Sequence, residues 1–142
     1  MATPSENHDM DGCFACGTQT PRGMHLRFRQ DGNGVLAETR TDETWVGWQG
    51  LVHGGLLATL MDEAVGYAVA AIGRTGLTAR LSVRYIVPVA PLQELVVRAW
   101  VRHSDRRGAH TAASVELPSG RKVATAEATM IFVDRLPAPS RG

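Results

Sequence analysis

Cysteine is scarce in this chain: two residues, Cys13 and Cys16, in 142. That is too few for the disulfide framework of a small secreted protein. Net charge is almost missing as well. Fifteen basic and 14 acidic side chains give a formal +1, so no overall field draws the chain to nucleic acid or to an anionic membrane surface. Any phosphate it holds must be met by a local cluster. The first ten residues show neither the basic start nor the apolar core of a signal peptide. The longest apolar run, Leu56–Ile72, is broken by Asp62 and Glu63, and it is shorter than the roughly 20 residues of a membrane span. The expectation is a cytoplasmic protein with neither nucleic acid nor membrane as partner.

Against these absences stands an ordinary globular composition, 44% apolar and 20% charged, in a length that suits one self-sufficient core. We expect one domain over residues 13–134, with flexible ends at 1–12 and 135–142. Alternation of apolar and polar residues predicts strands at Met24–Phe28 and Val35–Arg40, joined through the turn Asp31-Gly-Asn-Gly. Thr44–Leu51 is a Trp- and Gly-rich loop. Gly54–Ile72 is too long for a strand, rich in Ala, Leu and Met, and bounded by Gly73, which predicts a helix. Four strands follow: Arg80–Val87, stopped by Pro88 and Pro91, then Leu95–His103, Ala109–Leu117 and Lys122–Val133. Two strands, one helix and four strands imply an α+β fold. An antiparallel sheet of five to six strands would wrap around one long central helix, explaining why that helix is apolar on nearly every side.

Asp62 and Glu63 are the charged residues in that helix. A buried, unpaired carboxylate costs several kcal/mol, so each needs a partner, an altered pKa or a wet cavity. A satisfied salt bridge or a partly exposed seam is the plainer explanation for either. Helical neighbours separate them. Asp62 shares its face with Ala58, Thr59, Val65 and Gly66, which leave room for a ligand, whereas Glu63 sits among Thr59, Leu60 and Tyr67. Asp62 is therefore the catalytic candidate, and Glu63 is expected to pack or to make a structural hydrogen bond.

The helix opens His53-Gly54-Gly55. Glycine amides at the positive end of a helix dipole suit an anion or a developing oxyanion; alternatively the glycines only permit a tight turn. Asp62 lies nine positions beyond His53, about 13 Å along the axis and on the opposite side. One substrate carbonyl cannot easily meet both in one chain. Two helices related by a twofold axis would bring the Asp62 of one to the Gly54 start of the other, which suggests a homodimer with shared sites.

The run Gly50-Leu-Val-His-Gly-Gly-Leu-Leu-Ala-Thr-Leu-Met-Asp-Glu-Ala-Val-Gly resembles the helix signature of the hot-dog thioesterase superfamily, in particular the phenylacetate-pathway and mammalian superfamily-member types. Cys13-Phe-Ala-Cys-Gly, Pro21-Arg-Gly-Met, Thr78-Ala-Arg-Leu-Ser-Val-Arg-Tyr and Pro88-Val resemble its flanking segments. The resemblance implies a hot-dog fold, dimers often paired into tetramers, and hydrolysis of an acyl-CoA or acyl-carrier thioester without cofactor or metal. It makes Asp62 the general base or nucleophile and the Gly54 amide, with Gly55 beside it, the group that polarises the carbonyl. His53 would shape the turn or contact the thioester, and Thr78 would position the carboxylate or water. The chain departs from the pattern at Gly47, where many relatives carry Asn or Gln six residues before the histidine. Gln49 is out of register.

Arg106 and Arg107 in a turn, with His110 after them, are the candidates for CoA phosphates, as basic residues near such turns are in the family; Arg84 is a second choice. Turn charges are more often merely solvated. Cys13-x-x-Cys16 has zinc-compatible spacing, but a four-ligand set would need both His8 and His25, so two small residues covering the sheet end are expected instead. A non-catalytic acyl-CoA-binding module on the same fold is the alternative to an enzyme; a hydratase fits the Gly-Gly to Asp62 pattern poorly.

Overall fold

The computed structural model describes residues 11–142; the expected N-terminal segment, apart from residues 11 and 12, and His8 with it lie outside them. Seven elements follow in order: β1 (Arg29–Asp31), β2 (Gly34–Arg40), α1 (Gly54–Ala71), β3 (Gly76–Tyr85), β4 (Glu94–Ser104), β5 (Gly108–Glu116) and β6 (Lys122–Phe132). The strands form one sheet in the order β1-β2-β4-β5-β6-β3, antiparallel at every pairing. The helix packs across β2 to β6. This is the hot-dog fold that the sequence predicts.

The core lies between helix and sheet. From α1 it takes Leu57, Leu60, Met61, Ala64, Val65, Ala68 and Val69. Along β4, β5 and β6 every second residue points inward, and many of these are alanines: Ala99, Ala109, Ala113, Ala124, Ala126 and Ala128. Small side chains on the sheet let a helix of Leu, Met and Val sit close to the strands without voids. The helix stops at Ala71, and Gly73 (φ 79°) turns the chain, a left-handed step that glycine takes without strain.

Two expectations are corrected. Met24 and Leu26 are buried, as their alternation implies, but Met24–Phe28 is not a strand. The amides of Met24 and Leu26 bond to the carbonyls of Phe14 and Ala15 (2.8 Å each), so the segment is tied to the turn before it rather than to the sheet, and the ladder starts at Arg29. The helix is also not enclosed on all sides. Gly55, Asp62 and Ile72 are exposed, with Ala58, Thr59 and Gly66 half-covered between them. That open stripe adjoins β3, an edge strand whose residues are mostly exposed. Where no further strand follows, nothing among the described residues covers the outer side of the helix.

Candidate active site

A short loop sets the start of α1. Val46 pairs with Val52, the Gly47 amide donates to Leu51 (3.1 Å), and the His53 amide donates to Trp45 (2.8 Å). Trp45 is buried beneath. His53 thereby becomes the N-cap, and its Nδ1 accepts from the Gly55 amide at 2.9 Å, so a neutral ring carries its proton on Nε2. The amides of Leu56 and Leu57 donate to the His53 carbonyl (3.0 and 3.4 Å). Of the first-turn amides, the one at Gly54 has no acceptor among the described residues. The Gly54 carbonyl is held too, accepting from the Tyr85 hydroxyl at 2.8 Å. The structure thus separates the two expected donors: the Gly55 amide is taken by His53, and the Gly54 amide remains available.

Packing also accounts for Gly47. A Cβ there would lie 3.0 Å from Cδ2 of His53 and 3.3 Å from its Cα. Asn or Gln at this position would press on the capping ring, which would have to give by a few tenths of an ångström.

Asp62 stands on the open stripe, and its Oδ1 accepts from the Thr78 hydroxyl at 2.8 Å. Thr78 Oγ1 also lies 3.5 Å from Met130 Sδ, which fixes the hydroxyl from below. The expectation of a buried Asp62 is therefore wrong for the single chain. The carboxylate is exposed, because it projects toward the side of α1 that the edge strand leaves uncovered, and one hydroxyl rather than a charge holds it. Asp62 with Thr78, and Gly54 with Tyr85, mark opposite ends of β3.

Arg106 and Arg107 lie in the β4–β5 turn, exposed and without an ion pair among the described residues. Asp105 organises this turn by accepting from the amides of Arg107 (2.7 Å) and Gly108 (3.1 Å), and those bonds hold its carboxyl below the ordinary range. Ala109, Met130 and Thr78 follow one another across β5, β6 and β3, so the turn sits at the Thr78 end of the sheet. His110 alternates to the other face, its ring tilted against that of His103 with centroids 4.5 Å apart. Within one chain the structure does not bring His110 to Asp62.

The sequence pattern of the thioesterase superfamily matches residues 49–132, more than half of the chain, including α1 and β3 to β6. The chain belongs to the thioesterase superfamily. Several solved structures share its fold. The PaaI protein from the phenylacetic acid degradation operon of E. coli superposes with a TM-score of 0.76 at 18% identity, covering 89% of each chain. A hypothetical thioesterase of Streptococcus pneumoniae TIGR4, crystallised with coenzyme A, gives 0.71 at 25% identity over 76% of this chain and 85% of its own. A Streptococcus mutans UA159 protein bound to acetyl CoA gives 0.72 at 21% identity over 76% and 88%. Two mutants of the S. pneumoniae thioesterase, one with an aspartate and one with a threonine changed to alanine, each give 0.72 at 23% identity. Each covers 78% of this chain, and 92% and 91% of its own. No curated protein matches the chain. Among the described residues no helix is long and apolar enough to cross a membrane.

In this thioesterase-superfamily chain the sequence singles out no role for Tyr85, which both caps the Gly54 carbonyl and lies against its Cα: a Cβ on Gly54 would be 3.2 Å from the Tyr85 ring. A signal exists, since Tyr85 ends the strand that carries Thr78 near its start, but nothing local marks its partner 31 residues away. A second group gathers on the other flank of α1. Cys13 Sγ donates to Glu63 Oε1 at 3.5 Å, and the Cys16 amide donates to Cys13 Sγ at 3.4 Å. Burial, then the hydrogen bond to Glu63, pushes the Cys16 thiol well up; burial, then Cys16, does the same to the Tyr67 phenol. His25 turns elsewhere, with Nδ1 3.1 Å from the Gly17 carbonyl, so it does not join the two cysteines.

Proposed function

We propose that the protein hydrolyses an acyl-CoA thioester, with Asp62 and the Gly54 amide as its two chemical groups. The supporting observation is that α1 carries both: on its uncovered side a carboxylate already oriented by Thr78, and at its start a first-turn amide with no acceptor among the described residues. As general base, Asp62 takes a proton from water while the oxygen attacks the thioester carbonyl carbon. The oxyanion that develops meets the Gly54 N–H at the positive end of the helix. Collapse breaks the carbon–sulfur bond, and the CoA thiolate leaves and takes up a proton. Direct attack by Asp62 would instead give a mixed anhydride that water then cleaves. In single-turnover hydrolysis in heavy-oxygen water, label in the Asp62 carboxylate would identify the second route, with water attacking the aspartyl carbonyl of the anhydride. His53 and Tyr85 hold the helix start, and Thr78 holds Asp62.

Gly54 and Asp62 are eight positions apart on one helix, about 12 Å, which is too far for one carbonyl. A homodimer resolves this. Antiparallel pairing of two β3 edges about their midpoint sets the Thr78 end of one chain beside the Tyr85 end of its partner. Asp62 from one subunit then works with Gly54 from the other. The open stripe of Gly55, Ala58, Thr59 and Gly66 has the small residues that allow two helices to come close. Further pairing of dimers into tetramers suits the same family. Arg106 and Arg107, which form no ion pair among the described residues, offer guanidinium groups for CoA phosphates, while His110 stays peripheral.

The test is a panel of acyl-CoAs, with release of free thiol monitored, for the native protein and for Asp62→Ala. Hydrolysis by the native protein and its loss in Asp62→Ala is the expected result. Undiminished hydrolysis in the variant would remove Asp62 from the mechanism.

A further inference from the structure

Glu63 follows Asp62 on the helix but turns to the opposite flank, toward the tight turn of residues 13–17. It is half-buried, and no basic side chain pairs with it among the described residues. Its partners are sulfur: the Sγ atoms of Cys13 and Cys16 and a Glu63 oxygen all lie within 4.8 Å of one another. Two thiols and a carboxylate thus face a common point, with no basic side chain paired to them among the described residues. Without a cation the thiols keep their protons, Cys13 donating to Glu63; a divalent cation would replace those protons and turn all three groups into ligands.

The turn is built to present the two sulfurs. The Cys16 amide points at Cys13 Sγ (3.4 Å), a bond that strengthens when the sulfur becomes a thiolate. The Gly17 amide closes the turn on the Cys13 carbonyl at 2.8 Å. A Cβ at Gly17 would lie 2.3 Å from the Asp11 carbonyl oxygen and 2.5 Å from that of Cys13, so the turn is too tight for any other residue. From the structure we infer a metal site: Cys13, Cys16 and Glu63 bind one thiophilic divalent cation, zinc by donor class, with solvent completing its shell on the half-open Cys13 side. Two thiolates and a carboxylate are within the usual zinc donor set. Tetrahedral ligands at about 2.3 Å from the metal sit roughly 3.7 Å apart, so the three donors need to close by no more than about 1 Å. Each thiol releases its proton to solvent as the cation enters. The bound ion would clamp the N-terminal turn to α1 one residue from Asp62. The site does not require His25, which is turned away, and takes its third ligand from the helix.

The test uses the full chain, stripped of metal by chelation under reducing conditions and titrated with Zn(II) against a chromophoric competitor, then with Co(II). One equivalent per chain is expected, with a thiolate-to-cobalt charge-transfer band, the strong visible bands of four-coordinate cobalt, and a higher melting temperature on zinc addition. Cys13→Ser and Cys16→Ser should lose the charge-transfer band. Glu63→Gln, nearly the same in shape, should keep the band and weaken zinc binding by at least the roughly 10–100-fold that an outer-shell partner is worth. Circular dichroism of each variant checks the fold. Binding without a sulfur band, affinity unchanged in Glu63→Gln, or a Cys13–Cys16 disulfide that holds no metal would each overturn the site. None of these readouts involves hydrolysis, so the result stands apart from the thioesterase reading.

Discussion

Asp62 and Thr78 are joined by a single 2.8 Å bond, and the two should differ when changed. Asp62→Asn removes the base and should lower kcat by about 10²–10⁴ at nearly unchanged KM. Thr78→Val leaves the carboxylate unoriented and should cost less, again in kcat, as steady-state rates on the best acyl-CoA of the panel will show. Gly54 allows a sharper comparison. Gly54→Ala and Gly54→Pro bring the same Cβ against the Tyr85 ring, but only proline removes the amide. Proline is well tolerated at the first helical position. The alanine variant should therefore keep most activity, while the proline variant loses about 10²–10³ in kcat, the worth of one oxyanion donor. Equal losses in both would mean that shape matters and the amide does not. At this scale the sequence was informative where partners are close along the chain. His53, Gly54, Gly55 and Asp62 share one helix and one motif. Glu63 and Cys13, 50 residues apart, could not be joined without the fold.

Elements explain the rest of what could and could not be read. The helix was legible from length and composition, and β4, β5 and β6 from alternation. Met24–Phe28 alternates equally well and yet is no strand, because periodicity reports burial and not the partner of the backbone amides. Two consequences can be measured. Gly108 opens β5 where a Cβ would lie 2.1 Å from the Met130 carbonyl oxygen. Gly108→Ala must force β5 and β6 apart and should destabilise by about 3 kcal/mol or more in urea unfolding. On the outer face of the sheet, Glu116 is buried and ion-paired with Lys122 and Arg98. Burial works to raise its pKa, but hydrogen bonds and charge from Lys122 and then Arg98 outweigh it, leaving the carboxyl below its ordinary 4.5. A depressed folded-state pKa stabilises above the unfolded value and is lost as pH falls toward the folded one. Stability should thus decline below about pH 4.5, and Glu116→Gln should flatten that part of the acid limb.

At the scale of the whole molecule, the described residues leave one side of the fold open. β3 offers an unpaired edge, the helix an uncovered stripe, and the two chemical groups stand at opposite ends of that edge. The sequence pointed to this through helical spacing alone; it did not show that the uncovered face and the edge strand coincide, since that depends on β3 pairing with β6 rather than with its sequence neighbour β4. The most direct measurement mixes Asp62→Asn and Gly54→Pro subunits by unfolding and refolding them together in equal amounts. Each parent alone should be nearly inactive. In a shared-site dimer every mixed pair has one intact site, so the mixture should recover about one quarter of native thioester hydrolysis. Activity no higher than that of the parents, in a mixture shown to contain mixed dimers, would contradict the account.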